Sequence, residues 1–243
     1  HCVAHETYAR RVLQMGEHPD AVHVVGSLGV ENALATPAPS LDTVARRLGH
    51  DLAPPVGMVT VHPTTLPNGG TDRTVDAVIA AMEATHCTWV ITLPNVDPGH
   101  EVVREKLVSC AVRNGNVLAV NALGDDLYLA LMKHCAVVLG NSSSGMTEAP
   151  ALGIPTVNVG DRQTGRLRFP TIVDVPSVAS DVIEATRRVL TPDFSLAHPA
   201  SDALGDTRVS ERIVAILREW QPESTKAFRD LAAVSADREW VPC

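Results

Sequence analysis

Aromatic residues are scarce in this chain, with three phenylalanines, three tryptophans and two tyrosines among 243 residues. A core built without large rings must be filled by small aliphatics, as expected of helices laid on a parallel sheet. Apolar runs of membrane-spanning length are absent, as is a signal peptide, so the cytoplasm is the expected compartment. An excess of positive charge is lacking too. The formal charge is −8, which argues against a general nucleic-acid or membrane surface. Any anionic ligand must then be met by a local cluster of cations. The five cysteines, Cys2, Cys87, Cys110, Cys135 and Cys243, are scattered and make no CxxC spacing. A disulfide framework or zinc site is therefore not expected. Cys87, Cys110 and Cys135 read as small buried residues.

What is present is an alternation of short β-branched runs with amphipathic segments. Strands are predicted at 22–27, 58–62, 89–93, 117–121, 136–139, 156–159 and 172–175. Helices are predicted at 5–15, 41–48, 71–85, 99–114, 125–135, 145–152, 178–190 and 209–220. The helix at 71–85 shows the period well, with Val75, Val78, Ile79 and Met82 on one face. This rhythm predicts an α/β fold, a Rossmann-like parallel sheet with helices on both faces. Ligands bind such sheets beyond the carboxyl ends of their strands.

The richest segment runs from Gly140 to Arg166, GNSSSGMTEAPALGIPTVNVGDRQTGR. Ser142, Ser143, Ser144 and Gly145 stand where a strand gives way to a helix. There, hydroxyls and unpaired N–H groups can face an anion at the positive end of the dipole. By itself such a loop is usually only a turn and an N-cap. Glu148 follows one turn along, suited to accept hydrogen bonds from a diol such as ribose. After the next strand come Arg162, Gln163 and Arg166. Together they describe a site for a nucleotide diphosphate. Arg166 is also suited to hold its own loop through an acidic partner, and Arg168 reads as a solvated charge. His62 and Asn95 also fall at strand ends. A histidine at such a place is commonly a loop or core residue, and Asn95 sits between strong turn formers, so structural readings stand beside the ligand ones. Asp97 reads as a turn residue or the N-cap of the next helix.

This segment closely resembles the hydrolysing UDP-N-acetylglucosamine 2-epimerases of the sialic-acid pathway, whose signature joins GNSSSG, a glutamate three residues on, and an RQ-x-GR loop. Other matching segments run in order: YARRVLQMGEHPDAVHVVGSLGVEN near the start, VHPTT at 61–65, LPNVDPG at 93–99 and TKAFRDL at 225–231. The resemblance implies two Rossmann-like domains of the glycosyltransferase-B type with substrate between them. On that comparison, the chain is expected to be the C-terminal, nucleotide-binding portion, lacking about one domain's worth of sequence. Residues 1–20 would end the truncated first domain or connect to it, 21–220 would form the nucleotide-binding domain, and 221–243 would cross back as a helix and tail.

The resemblance further implies UDP and a UDP-N-acetylhexosamine as partners, no cofactor or metal, and a homo-oligomer for the full-length protein. It puts His62 against the diphosphate or sugar and assigns UDP contacts to the serines, Glu148 and Arg162. The main acid–base residues would lie outside this chain. Relatives acting on a UDP-diacetamido-trideoxyhexose, non-hydrolysing epimerases that return UDP-N-acetylmannosamine, and a nucleotide-sugar-binding module without activity are the alternative readings. The NSSSG and DRQTGR wording favours the hydrolysing branch.

Overall fold

The structure, a computed structural model, describes residues 1–64, 70–198, 200–221 and 227–230. The chain divides into two compact units, residues 1–31 with 203–243, and residues 32–202. In chain order the elements are β1 (Cys2–Val3), α1 (Glu6–Gln14), β2 (His23–Val24), α2 (Leu28–Ala35), α3 (Leu41–Leu48), β3 (Val56–Thr60), α4 (Gly70–Glu83), β4 (Thr88–Thr92) and α5 (His100–Arg113). Then follow β5 (Val117–Val120), α6 (Gly124–Met132), β6 (Cys135–Gly140), α7 (Glu148–Ala151), β7 (Thr156–Val159), β8 (Ile172–Val175), α8 (Ala179–Val189), α9 (Pro192–Ala197) and α10 (Val209–Glu219).

In the smaller unit β1 and β2 pair in parallel. His5 caps α1 by accepting from the Thr7 amide, and Arg212 of α10 donates to the Val25 carbonyl at 2.9 Å. Gly26, at φ +97, lies against Gly205 and Val209 of the same unit, where it serves close packing. The helix and tail expected over 221–243 lie outside the described residues except for 221 and 227–230, which are neither helix nor strand.

The larger unit is built on one six-stranded parallel sheet of order β5-β4-β3-β6-β7-β8. The inner strands β3, β4 and β7 are buried along their whole length and β6 nearly so, as a doubly covered sheet requires, while the edge strands β5 and β8 are only partly buried. On one face Val59, Trp89, Ile91, Leu139 and Val157 pack with Val78 and Met82 of α4, Leu107 of α5 and Val182 of α8. On the other, Met58, Val90 and Val138 pack with Val44 of α3 and Leu127 and Leu131 of α6. Trp89 is wholly buried and its indole N–H is satisfied by the Met82 carbonyl at 3.2 Å. Cys87, Cys110 and Cys135 are buried in these layers, as their apolar contexts suggested. Burial pushes the Cys87 thiol up to about 11, so it behaves as a small apolar group. Among the described residues no helix is long and apolar enough to cross a membrane.

The fold class expected from the sequence is therefore the one observed. The strand order also fixes a topological switch point between β3 and β6, where successive crossovers turn to opposite sides.

Candidate functional site

The loops that leave β3 and β6 meet at this switch point. Two glycines let them do so. Gly140 ends β6 at φ +132, and a Cβ there would sit 2.1 Å from the Thr60 carbonyl oxygen. Only glycine permits that approach. Gly145 lies against β7, where a Cβ would stand 2.7 Å from Thr156 Cγ2. Between them Asn141 is 1% exposed. Its Oδ1 accepts from the His62 amide at 2.7 Å and its Nδ2 donates to the His62 carbonyl at 2.9 Å. The Asn141 carbonyl accepts from Arg162 at 3.0 Å and from Gln163 at 2.8 Å. The VHP, NSSSG and DRQ segments are thus brought together at the carboxyl ends of β3, β6 and β7.

The local structure after β6 differs from the single helix expected at 145–152. Residues Ser143–Met146 form one 3-10 turn, capped by Ser142, and only Glu148–Ala151 are α-helical. The cause lies at Thr147, whose backbone (φ −124, ψ −67) departs from helical values, with Pro150 unable to donate in the next turn. A four-residue helix carries little dipole. An anion here would be met chiefly by hydroxyls and N–H groups of the turn rather than by the macrodipole. Ser143 is exposed, and Ser142 and Ser144 are half-buried. Ser144 Oγ lies 2.5 Å from the Tyr128 hydroxyl and 3.1 Å from Ser142 Oγ, a short chain of hydroxyls. Beneath it Thr60 and Thr92 share a hydrogen bond between β3 and β4.

The titratable groups divide by environment. His62 is pushed below its ordinary 6.5, first by burial and then by the Arg162 charge, with Asp97 opposing. Its imidazole is therefore neutral near pH 7, and its buried Nδ1 has no hydrogen-bond partner among the described residues. Burial raises the Glu148 carboxyl, while its own backbone amide and Arg166 pull it back down. Arg162 is lowered by burial, raised by Asp97 and lowered by Arg166, and stays cationic. Asp97 does not cap α5: that place is taken by Gly99, without a side-chain hydrogen bond. The Asp97 charge is instead felt by both His62 and Arg162. Asn95 is exposed in the same loop after β4.

The cationic loop also sorts differently from expectation. Arg168 is no free surface charge. It pairs with Asp174 at 2.6 Å and donates to the Gln163 and Arg166 carbonyls at 3.2 and 3.0 Å, bracing the turn that presents Arg162. Arg166 is exposed, with Glu148 within electrostatic reach. Beside this turn a cavity of about 1040 Å³ opens between Pro63, Arg73, Gly160, Arg162 and Ser177. Asn141, Asp97 and Tyr128 join the site without having been singled out as ligand candidates. The asparagine inside GNSSSG was the one legible signal for them.

Strand order and converging loops make this unit a doubly wound, Rossmann-like α/β domain with its crevice at the switch point. The chain belongs to the UDP-N-acetylglucosamine 2-epimerase family, whose sequence model matches residues 1–218. It is 29% identical over 234 residues to the polysialic acid biosynthesis protein P7 of Escherichia coli, covering 95% of this chain and 59% of that protein. It is 30% identical over 196 residues to the hydrolyzing GDP/UDP-N,N'-diacetylbacillosamine 2-epimerase of Campylobacter jejuni, covering 80% of this chain and 50% of that one. The chain thus spans between half and three-fifths of these relatives. The crystal structure of UDP-GlcNAc 2-epimerase from Neisseria meningitidis bound to UDP-GlcNAc superposes with a TM-score of 0.71 at 18% identity, covering 90% of this chain and 61% of that one. At that identity the likeness shows the fold, a parallel α/β sheet of the glycosyltransferase-B-type epimerases.

Proposed function

We propose that this chain supplies the UDP-binding part of a hydrolysing UDP-N-acetylglucosamine 2-epimerase, yielding N-acetylmannosamine and UDP. The observation that carries the reading is the joining of His62, the serine turn and Arg162 through Asn141 at the switch point. In the complete reaction a base takes the C2 proton of the sugar. The C1–O bond breaks, and its electron pair leaves with UDP. Water then adds to the glycal. Charge grows on the departing diphosphate, and fixed donors aimed at it lower the barrier. The Ser142, Ser143 and Ser144 hydroxyls, the Gly145 backbone and Arg162 supply that stabilisation, with Gln163 and Arg166 in support. The neutral His62 contributes a ring N–H rather than a second charge. Glu148 accepts from the ribose diol, and Asn95 closes the β4 side. No step assigned here needs a metal or cofactor. The base for C2 belongs to residues outside this chain, and the full-length enzyme works as a cytoplasmic homo-oligomer.

The chain alone is expected to bind UDP weakly and turn over nothing. Joined in frame to the N-terminal domain of a family member, it should convert UDP-N-acetylglucosamine to free N-acetylmannosamine and UDP, followed by NMR of the products. Appearance of UDP-N-acetylmannosamine as the final product would move the assignment to the non-hydrolysing branch. A UDP-diacetamido-trideoxyhexose remains a second substrate reading, favoured by the 30% identity to the Campylobacter jejuni protein. Parallel assays with that sugar nucleotide separate the two.

A further inference from the structure

Asn141 is buried, and its backbone N–H, its carbonyl and both polar atoms of its side-chain amide are hydrogen-bonded. Among the described residues it makes five hydrogen bonds, to the Thr60 carbonyl, both backbone groups of His62, Arg162 and Gln163. The amide orientation is fixed by the pairing: reversed, it would set donor against donor and acceptor against acceptor at His62. A buried asparagine must be satisfied wherever it lies. What sets this one apart is where its bonds go. Each ends on β3, on the residue two beyond it, or on the Arg162–Gln163 turn, elements that come together at the switch point.

We propose that Asn141 is the positioning residue of the nucleotide site. Its side-chain amide locks the backbone that carries His62, while its main-chain carbonyl anchors Arg162 and Gln163. One residue thereby sets the spacing between the two groups that face the departing diphosphate. The inference rests on the UDP-binding reading above, but its structural half does not. The clamp holds His62 in its buried place beside Arg162 and Asp97, the charged groups that bear on its imidazole. Aspartate, of the same shape, would keep the acceptor for the His62 amide and lose the donor to its carbonyl. It would also set a carboxylate oxygen against that carbonyl.

The test uses the full 243-residue chain with Asn141→Ala, and Asn141→Asp should alanine fail to fold. Two readouts are taken well below the thermal midpoint, where a merely stabilising residue would leave both unchanged: UDP affinity by calorimetry, and the His62 titration by NMR of its ring nitrogens. The clamp predicts an affinity loss of about tenfold or more, the scale of lost hydrogen bonds to a positioned group. It also predicts that His62 in the alanine variant titrates higher, toward an ordinary histidine, because the released loop becomes solvated. A folded alanine variant with wild-type affinity and wild-type His62 titration overturns the proposal. If wild type does not bind UDP, the functional reading fails separately. The His62 titration then decides alone, a shift upholding the clamp and no shift refuting it. Should neither variant fold, wild-type spectra decide: UDP must move the Asn141 and Gln163 side-chain amides together with the His62 ring, and an Asn141 amide left unmoved at saturation refutes the role.

Discussion

His62 and Glu148 are held in opposite ways, and each carries a pH signature. Burial and Arg162 keep the His62 imidazole below 6.5, whereas the unfolded chain protonates it freely. The stability from this group is present above about pH 6.5 and is lost as pH falls through the lower folded-state value. Wild type should therefore lose more thermal stability than His62→Gln between about pH 7.5 and pH 5.5, measured by calorimetric melts of both. Glu148 runs the other way. Its raised carboxyl favours the folded chain below its ordinary 4.5, and that advantage is lost as pH rises through the folded value. Glu148→Gln should then melt higher than wild type near pH 7 while binding UDP about tenfold more weakly, the trade expected of a strained binding group. Gly145→Ala should cost about 1–3 kcal/mol by denaturant unfolding, because its Cβ meets the stiff, buried Thr156. At this scale the sequence marked the serines, Glu148 and Arg162 by type and spacing. Asp97 and Tyr128 were not legible as partners, and Asn141 only by its place inside GNSSSG, since their roles depend on side-chain directions that spacing does not encode.

Elements were legible wherever apolar periodicity was continuous. The strands at 156–159 and 172–175 and the helix at 41–48 fall where they were expected, and most others within one or two residues. Three short elements escaped. The β1 strand is two residues long, α9 has six, and α2 carries Gly29 within it, so its core contacts through Val30 and Ala33 were masked by turn-forming neighbours. The helix at 145–152 was overread because its period ignores the break at Thr147. The turn after β7 gives a prediction of its own. Arg168 and Asp174 are both partly exposed, so their pair is worth at most about 1 kcal/mol of stability. Yet Arg168 also holds the carbonyls of the turn that presents Arg162. Arg168→Ala should shift the melting midpoint little and weaken UDP binding several-fold, a contrast read by thermal denaturation beside calorimetric titration.

For the whole molecule, composition foretold a sheet filled by small aliphatics, and the two faces of the larger unit are packed that way, with Trp89 the largest wholly buried side chain. With a net charge of −8, an anionic ligand would need local cations, and Arg162 and Arg166 lie on the loop after β7 that Arg168 braces. The family and the fold are both plain in the chain. The pairing of loops into one crevice became visible only with the strand order, since sequence alone does not say that β3 and β6 are neighbours. The central claim is that this crevice binds the nucleotide. Calorimetric titration of the chain with UDP, beside Ser143→Ala and Arg162→Ala, tests it most directly. The account predicts saturable one-site binding that each substitution weakens at least tenfold, with melting midpoints close to wild type. Binding of wild-type strength in both folded variants would contradict it and send the nucleotide elsewhere.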